Sequence, residues 1–327
     1  MTHENGTWVA EALDAGTAGS IWWGMDNIDS QYLLTNNYDF HYEYGHRVSD
    51  TDNWAYESII PEYQSTLSDF TDFIVDEFGH AHFVRPYNRD LLYATDSSGA
   101  WQTELLPALS GGVLLFPSID VGQSDSAAVA VVEVDSGVLV STFADGEWES
   151  FDLVDGLGTN RVALKFDAVG TVHLAYGRED GIAYATQSGD SWNVELVDSA
   201  DNDASYAYDP IVLCLSSGDE PRIAYSAGQK TYFAWKYLGN SWVIDEIEFD
   251  AAYLSLAVDD EDMPHLFLSL YDQAGVYYVT GQPGTWQTSK IDNAAFMISS
   301  ASTLGEVIRS AYLGTDNEAN LVRVRIN

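Results

Sequence analysis

Seven tryptophans recur along this chain at nearly even intervals. Trp8, Trp54, Trp101, Trp148, Trp192, Trp242 and Trp286 are separated by 46, 47, 47, 44, 50 and 44 residues. At five of them one or two residues separate the tryptophan from a preceding glycine, in SSGAW, ADGEW, SGDSW, LGNSW and PGTW. A repeat of about 40–50 residues implies stacked units, each burying its apolar face against its neighbours. Whatever this chain folds into must therefore be periodic.

Residues 160–197 show what one unit contains. VALKFD, VHLAYG, GIAYATQ and WNVELV each alternate or are rich in β-branched and aromatic residues. Turn residues (AVGT, RED and SGDS) separate them. Four short strands with such turns form an antiparallel meander. A ring of meanders is a β-propeller, with strands a, b, c and d counted outwards from the axis. After Trp286 one further a–b–c set follows, whereas Trp8 opens an orphan outer strand, WVAEAL. The economical solution completes the last blade with the N-terminal strand, which removes two exposed edges. The expectation is an all-β, seven-bladed β-propeller in one domain over 1–327, its outer strands starting at the seven tryptophans, with no long helix. Each indole then covers a seam between blades and buries about 150–250 Å².

Charge limits the partners. The chain carries 51 acidic and 13 basic side chains, a formal net charge of −38. Such a surface repels nucleic acid and anionic membranes. The single cysteine, Cys214, lies in the apolar run IVLCL and cannot form an internal disulfide. No run approaches 18 apolar residues, so no membrane insertion is expected. MTHENGTW has neither a basic nor an apolar leader region, so no signal peptide is read there.

The c–d turns YATDSSGAW, YATQSGDSW and YVTGQPGTW resemble degenerate Asp-boxes of the BNR-repeat propellers. A second signature, D-x-x-G-x-x-H, appears at Asp76, Gly79 and His82 and at Asp167, Gly170 and His173; Asp259 and His265 keep it without the glycine. The resemblance spans all seven blades and implies a bacterial secreted or surface protein, so an extracellular or cell-surface location is expected. It is poor evidence for activity, because such propellers host sialidases, lyases, lectins and interaction modules alike. The arginine triad, tyrosine nucleophile and acid–base aspartate of a sialidase cannot be placed by motif.

The histidines recur in alternate blades, too far apart to share one ion at about 2.0–2.1 Å. Each is expected to tie its a–b turn to its own aspartate. His80/His82 and His41/His46 have metal-like content without supporting spacing. The Asp-rich turns DVGQSD and DSADNDASYAYD leave Ca²⁺ open as a ligand, and otherwise no cofactor is expected. No GxSxG, HExxH, P-loop or dinucleotide fingerprint occurs.

The functional signal is the location of the scarce cations. The b–c loops carry Arg85, Arg89, Arg178 and Lys230, and Arg161 lies on a d–a crossover of the same face, which makes five of the thirteen basic residues. Tyr87, Tyr206, Tyr208 and Tyr271 fall on that face, and Trp22 or Trp23 is placed at the channel mouth. Arginine with aromatics suits acidic sugars, by charge-assisted bonds and ring stacking. Local charge balance is the competing reading, as REDG and NRD show. The sequence therefore points to a monomeric, non-catalytic module binding extracellular glycans or a surface protein at this face. The alternative is a polysaccharide lyase or glycoside hydrolase, with Tyr87 beside Arg85 or Arg89; a third is a propeller with no small ligand.

Overall fold

The structure is a computed structural model. It describes residues 2–325 apart from 5–6, 10, 37–41, 49–52, 60–70, 108, 110–111, 113, 124–125, 200–209, 238–240, 271–273, 294, 305–306 and 315. Seven antiparallel sheets follow one another in chain order. Blade 1 is Ser20–Met25, Gln31–Asn36, Tyr42–Arg47 and Ala55–Ile59. Blade 2 is Asp72–Val75, Ala81–Tyr87, Asp90–Thr95 and Gln102–Leu105. Blade 3 is Leu114–Val121, Ala127–Glu133 and Gly137–Ala144, with an outer strand split into Glu147–Trp148 and Asp152–Asp155. Blade 4 is Gly158–Phe166, Val172–Arg178, Gly181–Ser188 and Ser191–Asp198. Blade 5 is Ile211–Leu215, Pro221–Ala227, Lys230–Tyr237 and Ser241–Ile247. Blade 6 is Ala251–Val258, Pro264–Leu270, Val276–Thr280 and Gln287–Asp292. Blade 7 is Ala295–Leu304, Val307–Gly314 and Glu318–Arg325, extended by the N-terminus.

The innermost strands touch their neighbours in order, and that of blade 7 touches that of blade 1, so the ring closes. Side chains reinforce it from within. Asp72 accepts from the Ser118 hydroxyl at 3.0 Å and the Ile119 N–H at 2.9 Å, linking blades 2 and 3. Asp120 accepts from the Phe166 N–H at 2.8 Å and the Lys165 ammonium at 3.0 Å, linking blades 3 and 4. The Cys214 thiol donates to Leu256 O at 2.9 Å, linking blades 5 and 6. Burial pushes that thiol up to about 11, so it is a packing group and not a nucleophile.

The closure differs in register from the sequence expectation. Trp8 lies in Thr7–Val9, which pairs with Thr2–Glu4 and not with the last blade's third strand. The strand antiparallel to Glu318–Arg325 is Glu11–Thr17, with Glu11 opposite Leu321 and Ala12 opposite Asn320; Thr2 faces Arg323 in parallel. This register puts Leu13 (5% exposed) into a core with Ala311, Leu313, Ala319 and Leu321. A buried leucine selects the pairing, because a one-residue slip would turn it to solvent. Glu11 also receives the Arg47 guanidinium of blade 1.

Candidate functional site

The a–b turns of blades 1, 2, 4 and 6 are each built around one carboxylate, and that of blade 5 around the Ser216 hydroxyl. Asp76 Oδ1 accepts from the N–H groups of Phe78 (2.9 Å) and His80 (2.7 Å). Asp167 does so from Val169 and Thr171, Asp259 from Glu261 and Met263, and Asp26 from Ile28 and Ser30. The second carboxylate oxygen holds the side chain at the second position of strand b, Tyr32 in blade 1 and a histidine in blades 4 and 6. Asp167 meets His173 Nε2 at 3.3 Å and Asp259 meets His265 Nε2 at 3.1 Å. The other ring nitrogen of each bonds a strand c tyrosine, Tyr184 at 2.5 Å and Tyr278 at 2.6 Å. The network fixes the tautomer: Nε2–H donates to the aspartate and the tyrosine O–H donates to Nδ1. The expected structural role of these histidines is what the geometry shows. No group of three or more His, Cys, Asp or Glu able to hold a metal occurs among the described residues; His41 and most of DSADNDASYAYD lie outside them.

Blade 2 departs from this pattern. His82 bonds Tyr93 at 2.7 Å through Nδ1, but its Nε2 lies 3.6 Å from Asp76 and makes no hydrogen bond. Asp76 bonds His80 Nδ1 instead, at 2.9 Å. Burial alone would raise the Asp76 pKa, but the two imidazoles and the His80 N–H outweigh it and hold the carboxyl well below its usual range.

The strand d tryptophans form a second repeated device. Four of them pack edge-on against an aromatic of strand c in the preceding blade: Trp101 on Tyr44, Trp148 on Tyr93, Trp242 on Tyr184 and Trp286 on Phe233, at centroid distances of 5.1, 5.1, 5.3 and 5.5 Å. In three of these seams the indole N–H donates to a carboxylate of the preceding blade: Trp101 to Glu57, Trp242 to Glu195 and Trp286 to Asp245. That carboxylate is always the cross-strand partner of the aromatic, as Glu57 is of Tyr44, Glu195 of Tyr184 and Asp245 of Phe233. In the seam between blades 2 and 3 the matching acid, Glu104, sits opposite Tyr93. There the buried Trp148 Nε1 has no hydrogen-bond partner.

That seam opens into a cleft of about 770 Å³ on the a–b and c–d face. Blade 2 lines it with Asp76, His80, His82, Tyr93, Gln102 and Glu104, and blade 3 with Val121, Ala127, Phe143 and Gly146. At the position held elsewhere by His82, His173 or His265, each register-paired with a strand c threonine, blade 3 has Ala128, which packs towards blade 4 and not into the cleft. Phe78, 67% exposed, flanks the cleft with its ring centroid 6.2 Å from that of His80.

The rim named from sequence lies on the opposite face. Arg178 is held by Asp180 (2.7 Å) and Asp155 (3.3 Å), and Lys230 by Glu246 (2.7 Å). Arg161 stacks 4.0 Å over Phe116, and buried Arg85 lies 5.3 Å over Tyr42 and 6.0 Å over Tyr87. Arg89 is exposed in the hairpin turn after Asn88, whose φ is 58°. Between blades this face is latched by Tyr176 to Asp155, Tyr225 to Asp198 and Tyr312 to Asp292, at 2.8, 2.5 and 2.7 Å. Trp22 turns to blade 2, its N–H donating to Thr71 O at 2.7 Å and its ring 6.2 Å from that of Tyr42. Trp23 is core, 1% exposed. Tyr206, Tyr208 and Tyr271 lie outside the described residues.

Sequence reasoning missed Glu104 and its seam. The signal was present as W-x-x-[D/E], in Trp54–Glu57, Trp101–Glu104, Trp192–Glu195 and Trp242–Asp245.

No protein-family model matches the chain, and no curated protein sequence does. The Asp-box likeness therefore rests on the turns alone. Solved structures do match. The BP39L lectin from Burkholderia pseudomallei aligns with a TM-score of 0.71 at 13% identity, covering 94% of this chain and 96% of that one. A variant of Aleuria aurantia lectin, solved with α-methyl-L-fucoside, aligns at 0.55 with 14% identity, over 87% and 98%. The polysaccharide lyase Uly1 aligns at 0.56 with 10% identity, over 98% and 92%. At these identities the likeness is one of fold: the chain is an all-β seven-bladed propeller of four-stranded antiparallel blades whose structural neighbours include lectins.

Proposed function

We propose that this propeller is an extracellular glycan-recognition module acting without chemistry, and that its sugar site is the cleft between blades 2 and 3. The observation that carries the reading is the cleft itself. It brings donors and acceptors from Gln102, Glu104, Asp76 and His80 together beside the exposed ring of Phe78. A concave polar site with an aromatic platform suits a sugar, which presents hydroxyls at its edge and C–H groups on its face. Glycan-binding neighbours of the same fold add support.

Two features favour binding over turnover. The Asp76 carboxyl is held ionised, so it is not a general acid near neutral pH. Burial pushes the Tyr93 hydroxyl well above its ordinary range, so it is not a base. The rim is the weaker candidate, because Arg178 and Lys230 already have carboxylate partners.

A glycan array read with the parent protein, a Phe78→Ala/Gln102→Ala variant and an Arg89→Ala/Lys230→Ala variant tests this. The cleft variant should lose its array signals about tenfold or more, and the rim variant should keep them. Loss in the rim variant alone moves the site to the opposite face. Shortened oligosaccharides, or unsaturated ends absorbing in the ultraviolet, establish an enzyme instead.

A further inference from the structure

The seam between blades 4 and 5 shows what fills the box when the chain fills it itself. Lys236 Nζ lies 5.2 Å from the ring centroids of both Tyr184 and Trp242, and bonds Glu195 at 2.8 Å. The ammonium is held by two aromatic faces and one carboxylate, and its side chain is only 15% exposed.

The seam between blades 2 and 3 has the same frame without the cation. Tyr93 replaces Tyr184, Trp148 replaces Trp242, and Glu104 replaces Glu195, each at the same register. The position of Lys236, opposite the tryptophan, is Phe143. The acid is thus retained and the internal ammonium is gone. Next to it the cleft adds a second carboxylate, Asp76, and the 94%-buried His82, whose Nε2 lies 3.6 Å from that carboxylate and has no hydrogen-bond partner. No lysine or arginine lines the cleft.

We infer that this cleft takes an amino sugar through its free ammonium group, seated between Glu104, Asp76 and the face of Tyr93 as Lys236 is seated one seam-pair further round the ring. This rests on the glycan-recognition reading and narrows it to cationic sugars. Cation–π contact with a desolvated ring and a charge-assisted bond to a carboxylate both favour a primary ammonium over its N-acetyl form. The net charge of −38 draws such a ligand in, and salt screens that attraction. An acidic glycan meets the opposite field.

Isothermal titration with the β-1,4-linked glucosamine trisaccharide, its fully N-acetylated counterpart and methylammonium tests the inference. The glucosamine trisaccharide should bind at least tenfold more tightly than the acetylated form and than methylammonium. Its affinity should fall severalfold between 50 and 500 mM NaCl. Glu104→Gln should weaken it about tenfold. Phe143→Lys, which supplies the internal ammonium as Lys236 does, should abolish it while the melting temperature stays near that of the parent. Should Phe143→Lys fail to fold, Glu104→Gln alone decides. Equal binding of both trisaccharides, or binding unchanged in Glu104→Gln, overturns the amino-sugar inference and leaves glycan recognition standing. Methylammonium binding as tightly as the trisaccharide, or no binding by either sugar together with an empty array, overturns both.

Discussion

Trp286 is half-buried, T-shaped on Phe233 of the preceding blade, with its N–H on Asp245. Removing that indole strips the seam between blades 5 and 6 and leaves the carboxylate without its donor. Trp286→Ala should cost about 3 kcal/mol, the low end for a large aromatic because the ring is not fully buried. Chemical denaturation checks this. His265 gives a pH-dependent counterpart. Burial lowers its pKa below 6.5 although Asp259 opposes the shift, and Tyr278 and Asp259 are the groups bonded to its ring. Between the folded and unfolded values the unfolded chain binds the extra proton, so stability rises with pH through that window. The His265 contribution is complete above about 6.5 and is lost as pH falls. The melting temperature should drop from pH 7.5 to 5.5, and less steeply in His265→Gln. An equal slope in the variant contradicts the assignment.

At the level of strands, the repeat was legible because period-2 alternation and Gly/Asp turns mark every edge of a blade. The N-terminal register was not. WVAEAL and EALDAGT overlap and both carry apolar residues, and only contact with blade 7 selects the alignment that buries Leu13. Of the rim cations Arg89 lies in a b–c turn, whereas Arg85 and Arg161 fall within Ala81–Tyr87 and Gly158–Phe166, and the partners of the others come from elsewhere in the chain. Asp155 comes from blade 3 to Arg178 of blade 4, and Glu246 from an outer strand to Lys230. The cleft was invisible for a similar reason. Its acid Glu104 and aromatic Tyr93 are ordinary repeat residues, and the opening depends on the blade 3 side chains that face them, Val121, Ala127 and Phe143. Deleting residues 2–17 should uncover the edge of Glu318–Arg325 and expose the Leu13 site. A markedly lower melting temperature and self-association through that edge are expected. An unchanged oligomeric state with an unchanged melting temperature would refute the closure.

Over the whole molecule, 51 carboxylates surround a ring whose core is apolar at every seam. Their mutual repulsion opposes the compact state and is screened by salt within about 8–10 Å at physiological ionic strength. Melting temperature should rise from low salt to molar NaCl by more than an osmotically matched sugar-free osmolyte produces; a flat or falling trend would contradict this. The same field favours cationic ligands on approach, which agrees with a cleft holding two carboxylates and no lysine or arginine. The most direct test of the account is a crystal structure grown with the strongest glycan found on the array. An intact sugar is expected between blades 2 and 3, in contact with Gln102, Glu104 and Phe78. A sugar on the opposite face beside Arg89 and Lys230, or a cleaved product in the density, would contradict it.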